Sequence, residues 1–385
     1  MRAGYFFDPQ FLHATAVLAG TMVGVGIFGI PFAFAKAGFG MGLIFFALTI
    51  SATIAMNLMF SEVILRTRGK HQLVGYTRQY LGLTSQRIVL LANVLGISGA
   101  LLAYIIAAGE FLSGLAGPFT GLEASWFSFA FFLVVSCILP FGFRTIATIE
   151  FGLAIIFTLI IVSIAGVSVP HISVEHLQGF NSDFWFLPYG VLLFAFAGLT
   201  SLPIQREVLR GKERLLRPSI ITAVSIVGTL FLLFTTAVVG VMGPNTEPQA
   251  LTNLADTLGG VGHLIVTLGS LFGVVAITTS YLMLGTALTD IFRLDYGIPR
   301  RWALVLAGLP PILLYILGLR SFITVIGLIG TLAIGIESVV LIMLYQRSQK
   351  EGTRDPEYKV HIPIALQIAL AMVFVGGVIY ELLFA

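Results

Sequence analysis

Charge is scarce in this sequence. Only 10% of the 385 residues are Asp, Glu, Lys or Arg, against roughly 25% in an ordinary soluble domain. One cysteine, Cys137, excludes an internal disulfide, and neither it nor the six scattered histidines has metal-ligand spacing. Paired acids, a Cys/His pair and a nucleophile elbow are all missing from the apolar runs, so nothing points to an enzyme. The stretch 1–10 is weakly basic and the run behind it too long for a cleaved signal peptide, which leaves that run as a membrane span. What the chain has instead is hydrophobicity: 57% hydrophobic residues and a mean hydropathy of +1.00, the composition of an integral membrane protein. The pI near 9.0 is then a matter of orientation in the bilayer rather than of nucleic acid.

The apolar runs read as eleven spans, at about 11–35, 41–65, 88–112, 125–141, 145–168, 184–205, 218–242, 261–289, 301–318, 321–346 and 362–384. The joins are short, so no soluble domain is inserted. With the N-terminus in the cytoplasm, nineteen of the 21 Lys and Arg fall on that side and only Lys36 and Arg320 outside. The expectation is a multi-pass protein of the cell membrane with a cytoplasmic N-terminus and an extracellular C-terminus.

The first span carries four glycines and a proline between Gly20 and Pro31. These residues weaken a helix at its centre. Irregular backbone at membrane depth survives only where protein or a polar cavity surrounds it, and N–H groups freed there attract a carboxylate. Small residues at such spacing also let two helices pack closely, so both readings stand on this stretch alone.

The chain also repeats. Gly26 precedes Pro31 by five residues, and Gly198 precedes Pro203 by five, at a shift of about 172. FGFRT from Phe141 matches LGLRS from Leu317, and two short amphipathic stretches, 70–83 and 247–258, correspond and are expected to lie along opposite surfaces. Five spans is an odd number, so the second copy enters the membrane inverted, and Arg320 becomes the outside counterpart of Arg144. Inverted repeats with interrupted spans mark secondary transporters, with substrate bound near the midplane. The expected units are 1–169, an inverted 183–346, and a cytoplasmic loop with an eleventh span, 347–385.

Two segments carry a family resemblance: GVGIFGIPFAFAKAG from Gly24 to Gly38, and FAFAGLTSLPIQREV from Phe194 to Val208. Over spans one to ten the chain resembles the amino acid/auxin permease family of the amino acid–polyamine–organocation superfamily. The resemblance implies an all-α, LeuT-type five-plus-five inverted repeat with spans one and six broken, and a secondary active permease. It implies that an amino acid's carboxylate meets N–H groups near Gly24, Val25 and Gly26, and its ammonium meets carbonyls of Met22, Phe194, Ala195 and Phe196. Gly198 lies in the second break. Ile27, Phe28, Phe196 and Leu199 would wall the side chain, which favours a neutral and bulky substrate. Tyr104 would touch the carboxylate or pack against a neighbouring helix.

A coupling cation has two candidate places. Relatives coupled to Na⁺ ligate it with two hydroxyls of span eight, here among Thr278, Thr279 and Ser280, and with span-one carbonyls, here Gly20 and Val23. The same hydroxyls can bond back to their own helix. Span five lacks the lysine that some proton-coupled relatives use. Glu337 lies deep in span ten and is a candidate proton site, since intramembrane acids are functional by default. Glu62, Glu110 and Glu150 lie near span ends, and Asp290 closes span eight beside arginines as a candidate inner gate. Besides Na⁺ as a coupling ion no cofactor is expected, and the partners are the amino acid and the bilayer. The rival function is an amino-acid sensor that transports slowly; sensors of this fold usually carry an added soluble tail, which this sequence lacks.

Overall fold

Asp8 accepts a hydrogen bond from the Gln10 N–H at 3.0 Å, and Pro9 occupies the first helical position, where its missing N–H costs nothing. A helix therefore starts there and runs Pro9–Met22; the chain resumes as Gly26–Ala37 with its axis bent by 55°. These two pieces are span one. The structure, a computed structural model, describes residues 3–141, 146–248 and 254–384, and among them every regular element is helical.

Spans two to five are Phe39–Arg66, Leu73–Thr120, Ala124–Ile138 and Ile146–Ser168. Span six is Leu187–Ala195 and Leu202–Val208, joined by non-helical residues and a 3₁₀ turn, Leu199–Ser201. Spans seven to nine are Leu216–Met242, Leu254–Asp290 and Arg300–Ile316. Span ten is Phe322–Leu328 and Gly335–Glu351 with a π-helical stretch, Ile329–Ile334, between them, and span eleven is Ile364–Phe384. Among the described residues, eight helices are long and apolar enough to cross a membrane, nine with the bent pair. Ile146–Ser168 and Arg300–Ile316 stand where the other two spans are expected.

The amphipathic stretches are set off from spans three and eight by a kink, with one non-helical residue in each case. Each turns through one glycine, Gly82 (φ 85°, ψ −174°) and Gly259 (φ 73°, ψ −159°), a backbone that only glycine adopts without strain. Residues 249–253 of the second stretch lie outside the described residues, as do Arg144 and the side chain of Glu150.

Inverted symmetry is visible in what packs on what. Span one packs on seven as six packs on two; five packs on seven as ten packs on two; five packs on eight as ten packs on three. Span one against five matches six against ten, and three against four matches eight against nine. Each of these contacts thus has a partner five spans on. Lipid offers no hydrophobic drive for helix association, so close backbone approach at small residues holds the spans together. Gly330 lies against the Gly190 carbonyl, and a Cβ there would collide with it.

Span eleven packs against span ten, with Gly335 under Phe374 and Val378, and the Trp185 indole N–H donates to Tyr380 at 3.1 Å. The loop before it is tied to span two. Glu62, fully buried rather than reaching water, pairs with Arg66 at 2.7 Å and accepts from the Val360 N–H at 2.5 Å. Glu110, by contrast, is exposed.

Candidate functional site at the two helix breaks

Span one opens because its hydrogen-bond ladder fails over four residues. The Val23 N–H still reaches Ala19, but the Gly24 N–H turns back to Met22 at 2.8 Å, and the ladder restarts only with Phe28 donating to Val25 at 3.1 Å. The N–H groups of Val25, Gly26 and Ile27 therefore have no partner among the described residues. Upstream, the carbonyls of Gly20, Thr21 and Val23 accept nothing. Gly24 was expected among the carboxylate donors, but its N–H is occupied; the donor set moves one residue along.

Span six fails differently. Phe196 donates to Leu192 at 2.9 Å and Ala197 to Phe194 at 3.2 Å, which leaves the carbonyls of Ala195, Phe196 and Ala197 without a backbone donor. The chain re-enters helix at Leu202 with Pro203 in its first turn. The two breaks touch: a Cβ on Gly26 would stand 2.7 Å from the Ala195 Cα and 3.2 Å from the Phe194 ring. Gly26 is thus both a helix start and a close contact, and both sequence readings hold together.

A cavity of about 1120 Å³ ends at these breaks. A single small-ligand site spans roughly 300–1,000 Å³, so there is room here for one small ligand and a vestibule. Of the expected substrate residues, Met22, Gly24, Gly26, Tyr104, Phe194, Ala195, Phe196 and Gly198 line it. Val25 and Ile27 do not: both are fully buried, and Ile27 packs in the core rather than against a ligand. The Tyr104 hydroxyl and the Ser280 hydroxyl lie 3.1 and 3.8 Å from where a Gly24 Cβ would be, so spans one, three and eight meet in a polar corner. Around it Ile97, Ala100, Leu199, Ile329 and Ala333 supply an apolar wall. The part of that wall on spans three and ten escaped sequence reading, because only tertiary packing brings those spans to the breaks.

The far side is sealed. Phe28 meets Phe111 with ring centroids 4.8 Å apart and Phe234 at 6.1 Å, all buried, so Phe28 is a plug above the cavity rather than a wall of it. The other side is open toward Lys70, Arg206, Arg210 and Arg354. Asp290 stands at this mouth, 3.8 Å from Arg293 on its own helix, so its cation partner is not across the opening. Glu337 lines the cavity from span ten.

Of the expected sodium ligands only Ser280 lines the cavity. Thr278 donates to the Val274 carbonyl at 2.7 Å and Thr279 to Ala276 at 2.9 Å, within their own helix. A hydroxyl that donates in this way retains lone pairs, and the Gly20 and Val23 carbonyls are unpaired, so the oxygen chemistry of the set is intact.

The tryptophan/tyrosine permease family model matches residues 8–383. The chain belongs to that family. The family name suggested by the motifs of spans one and six, amino acid/auxin permease, is therefore replaced. This permease is 24% identical over 366 residues to tyrosine-specific transport system 1 of Haemophilus influenzae, covering 90% of each chain. It is 20% identical to glutamine transporter 2 of Aliivibrio fischeri, over 95% of this chain and 97% of that one. Among solved structures it resembles MhsT in complex with L-phenylalanine, with a TM-score of 0.69, 14% identity and full coverage of both chains. That likeness shows the LeuT-type fold. The permease is an amino acid transporter of that architecture.

Proposed function

We propose that this permease carries a neutral aromatic amino acid, tyrosine or tryptophan before others, and that the structure is its inward-open state. The observation that carries the reading is the chemistry where the cavity ends. Unpaired N–H groups at the start of one half-helix lie beside unpaired carbonyls at the end of another. A zwitterion needs both signs of partner, and helix ends supply them without a buried protein charge. The carboxylate takes the Val25–Ile27 amides and the Tyr104 hydroxyl; the ammonium takes the Ala195 and Phe196 carbonyls. The apolar wall takes the ring, with Phe196 held between Phe46 and Phe231 at 5.6 and 5.2 Å. Ile97, Ala100, Leu199, Ile329 and Ala333 offer a charged side chain no polar partner, which disfavours lysine or glutamate as cargo. The names of the tyrosine relatives support the aromatic choice.

The arginine-rich mouth is the cytoplasmic one under the positive-inside rule, which puts the C-terminus outside. Sodium is a second reading of the coupling ion, favoured by the Gly20 and Val23 carbonyls, which accept no hydrogen bond among the described residues, and by the Ser280 hydroxyl that lines the cavity. Uptake of labelled tyrosine into liposomes holding the purified chain tests the main reading. Unlabelled tryptophan and phenylalanine should compete and lysine should not. Binding without uptake would make the chain a sensor; competition by lysine as strong as by tryptophan would refute the aromatic site.

A further inference from the structure

Glu337 lies within span ten and lines the cavity. It stands in the first turn of Gly335–Glu351, just after the π-helical stretch of span ten, with its side chain partly open to the cavity. Among the described residues no hydrogen bond or ion pair reaches it. Other acids differ: Glu62 has Arg66 and the Val360 amide, Glu207 has Lys70, and Asp290 has Arg293. A second orphan borders the same cavity from span two, which packs on the Glu337 helix. Asn57 is 1% exposed, and its side-chain oxygen has no donor.

Resting on the reading of the chain as an aromatic amino acid transporter, we propose that Glu337 is the protonation site that couples transport to a proton. A zwitterion gains nothing from the membrane potential, so uphill uptake needs a cation to travel with it. An unpaired carboxylate among apolar spans is costly unless neutralised. A hard metal ion takes about six oxygen ligands, whereas of the cavity-lining residues within a turn of Glu337 on its own span, Ala333 and Ile334 are apolar and Ser338 adds a single hydroxyl. A proton needs one oxygen and water access, and the cavity gives both. The step is simple. A hydronium ion outside gives its proton to the Glu337 carboxylate, its O–H bond breaking to leave water as the carboxyl O–H forms; access to the neutral acid switches sides with the substrate, and the proton then passes to water inside, restoring the carboxylate.

The neighbouring charges leave this group to itself. Span three carries Tyr104 at the closed end of the cavity and Arg78 and Arg87 near its cytoplasmic end. Span two carries the paired Glu62 and Arg66, and span eleven carries Tyr380 and Glu381 near its far end. On the Glu337 helix itself the next ionisable groups are Tyr345, Arg347, Lys350 and Glu351, two turns or more toward the cytoplasm. Asp290 and the cations Lys70, Arg206, Arg210 and Arg354 stand at the mouth.

The test uses the full chain in liposomes with labelled tyrosine. In the parent, an inward proton gradient should drive accumulation equally in Na⁺ and in choline. Glu337→Gln should retain tyrosine binding and tyrosine–tyrosine exchange within about twofold, yet lose at least tenfold of gradient-driven accumulation, and its exchange rate should stop responding to pH. Glu337→Asp keeps the carboxyl and should restore accumulation, which also covers the case of a Gln variant that fails to fold. Three results overturn the proposal: accumulation by Glu337→Gln equal to the parent's, parent uptake driven by Na⁺ alone, or loss of tyrosine binding in a folded Glu337→Gln, which would make Glu337 a substrate contact. Parent protein that neither binds nor moves tyrosine refutes the aromatic reading instead; in that case the same gradient arms, run with the amino acid that does exchange, judge Glu337.

Discussion

Spans one and six are related by the repeat, yet they break in opposite chemical senses. Span one bends by 55° at Val23–Val25 and leaves donors pointing out of a helix start. Span six stays nearly in line, loses its ladder over Phe196–Gly198, and leaves acceptors at a helix end. Glycine content explains the difference. Three glycines, Gly24, Gly26 and Gly29, flank the first break, and Gly26 lets that half-helix press on the Ala195 backbone; the second break has Gly198 and two phenylalanines. An inverted repeat thus turns one local defect into a two-signed site. On the proposed reading, span one sets whether a carboxylate binds, and span six sets which side chain follows it.

The largest effect should come from span one. Gly26→Leu would drive a side chain into Ala195 and the carboxylate space, and each lost charge-assisted bond is worth about 1.5–3 kcal/mol. Tyrosine affinity should fall by about tenfold or more per bond while the protein still inserts; normal affinity, measured by scintillation proximity, would place the carboxylate elsewhere. Phe196→Ala in span six should do less to affinity and more to choice. The ratio of tyrosine to leucine uptake should drop by about tenfold, the scale of a few lost apolar contacts, and an unchanged ratio would remove span six from selectivity.

Thr279→Val is smaller again. Its hydroxyl donates to Ala276 within its own helix, and with proton coupling at Glu337 uptake should stay within about twofold in both Na⁺ and choline. A collapse seen only in the variant's Na⁺ dependence would restore the sodium reading.

The smallest effect joins the start of span one to the end of span six, where Asp8, the cap of span one, pairs with Lys212 beyond span six at 2.6 Å. The Lys212 ammonium holds the Asp8 carboxyl below its ordinary value of 3.8. The pair therefore stabilises the fold fully above that value and loses its contribution as pH falls through the lowered one. Asp8→Asn should melt slightly below the parent at pH 7, with the gap closing on acidification; a gap that widens in acid would contradict the pairing.

Much of this was legible in the sequence because membrane depth is unforgiving of irregular backbone. Gly20–Pro31 and Gly198–Pro203 had to mark breaks or contacts, and the Lys/Arg asymmetry had to mark a side. Tertiary geometry was not legible. The turning-back of the Gly24 N–H, the burial of Ile27 and the role of Phe28 as a plug depend on how the half-helices lean on span six and on spans three and seven. Likewise, the positive φ angles of Gly82 and Gly259, which turn the chain between the amphipathic stretches and the spans, were not read from the pattern.

The central claim is that one substrate bridges the two breaks, and a structure determined with bound L-tyrosine tests it most directly. The account predicts the carboxylate within hydrogen-bond reach of the Val25–Ile27 amides, the ammonium on the Ala195 and Phe196 carbonyls, and the ring between Phe196 and the span-three wall at Ile97 and Ala100. Tyrosine held instead in the vestibule, with its carboxylate on Arg206 or Arg210 and the breaks empty, would contradict it.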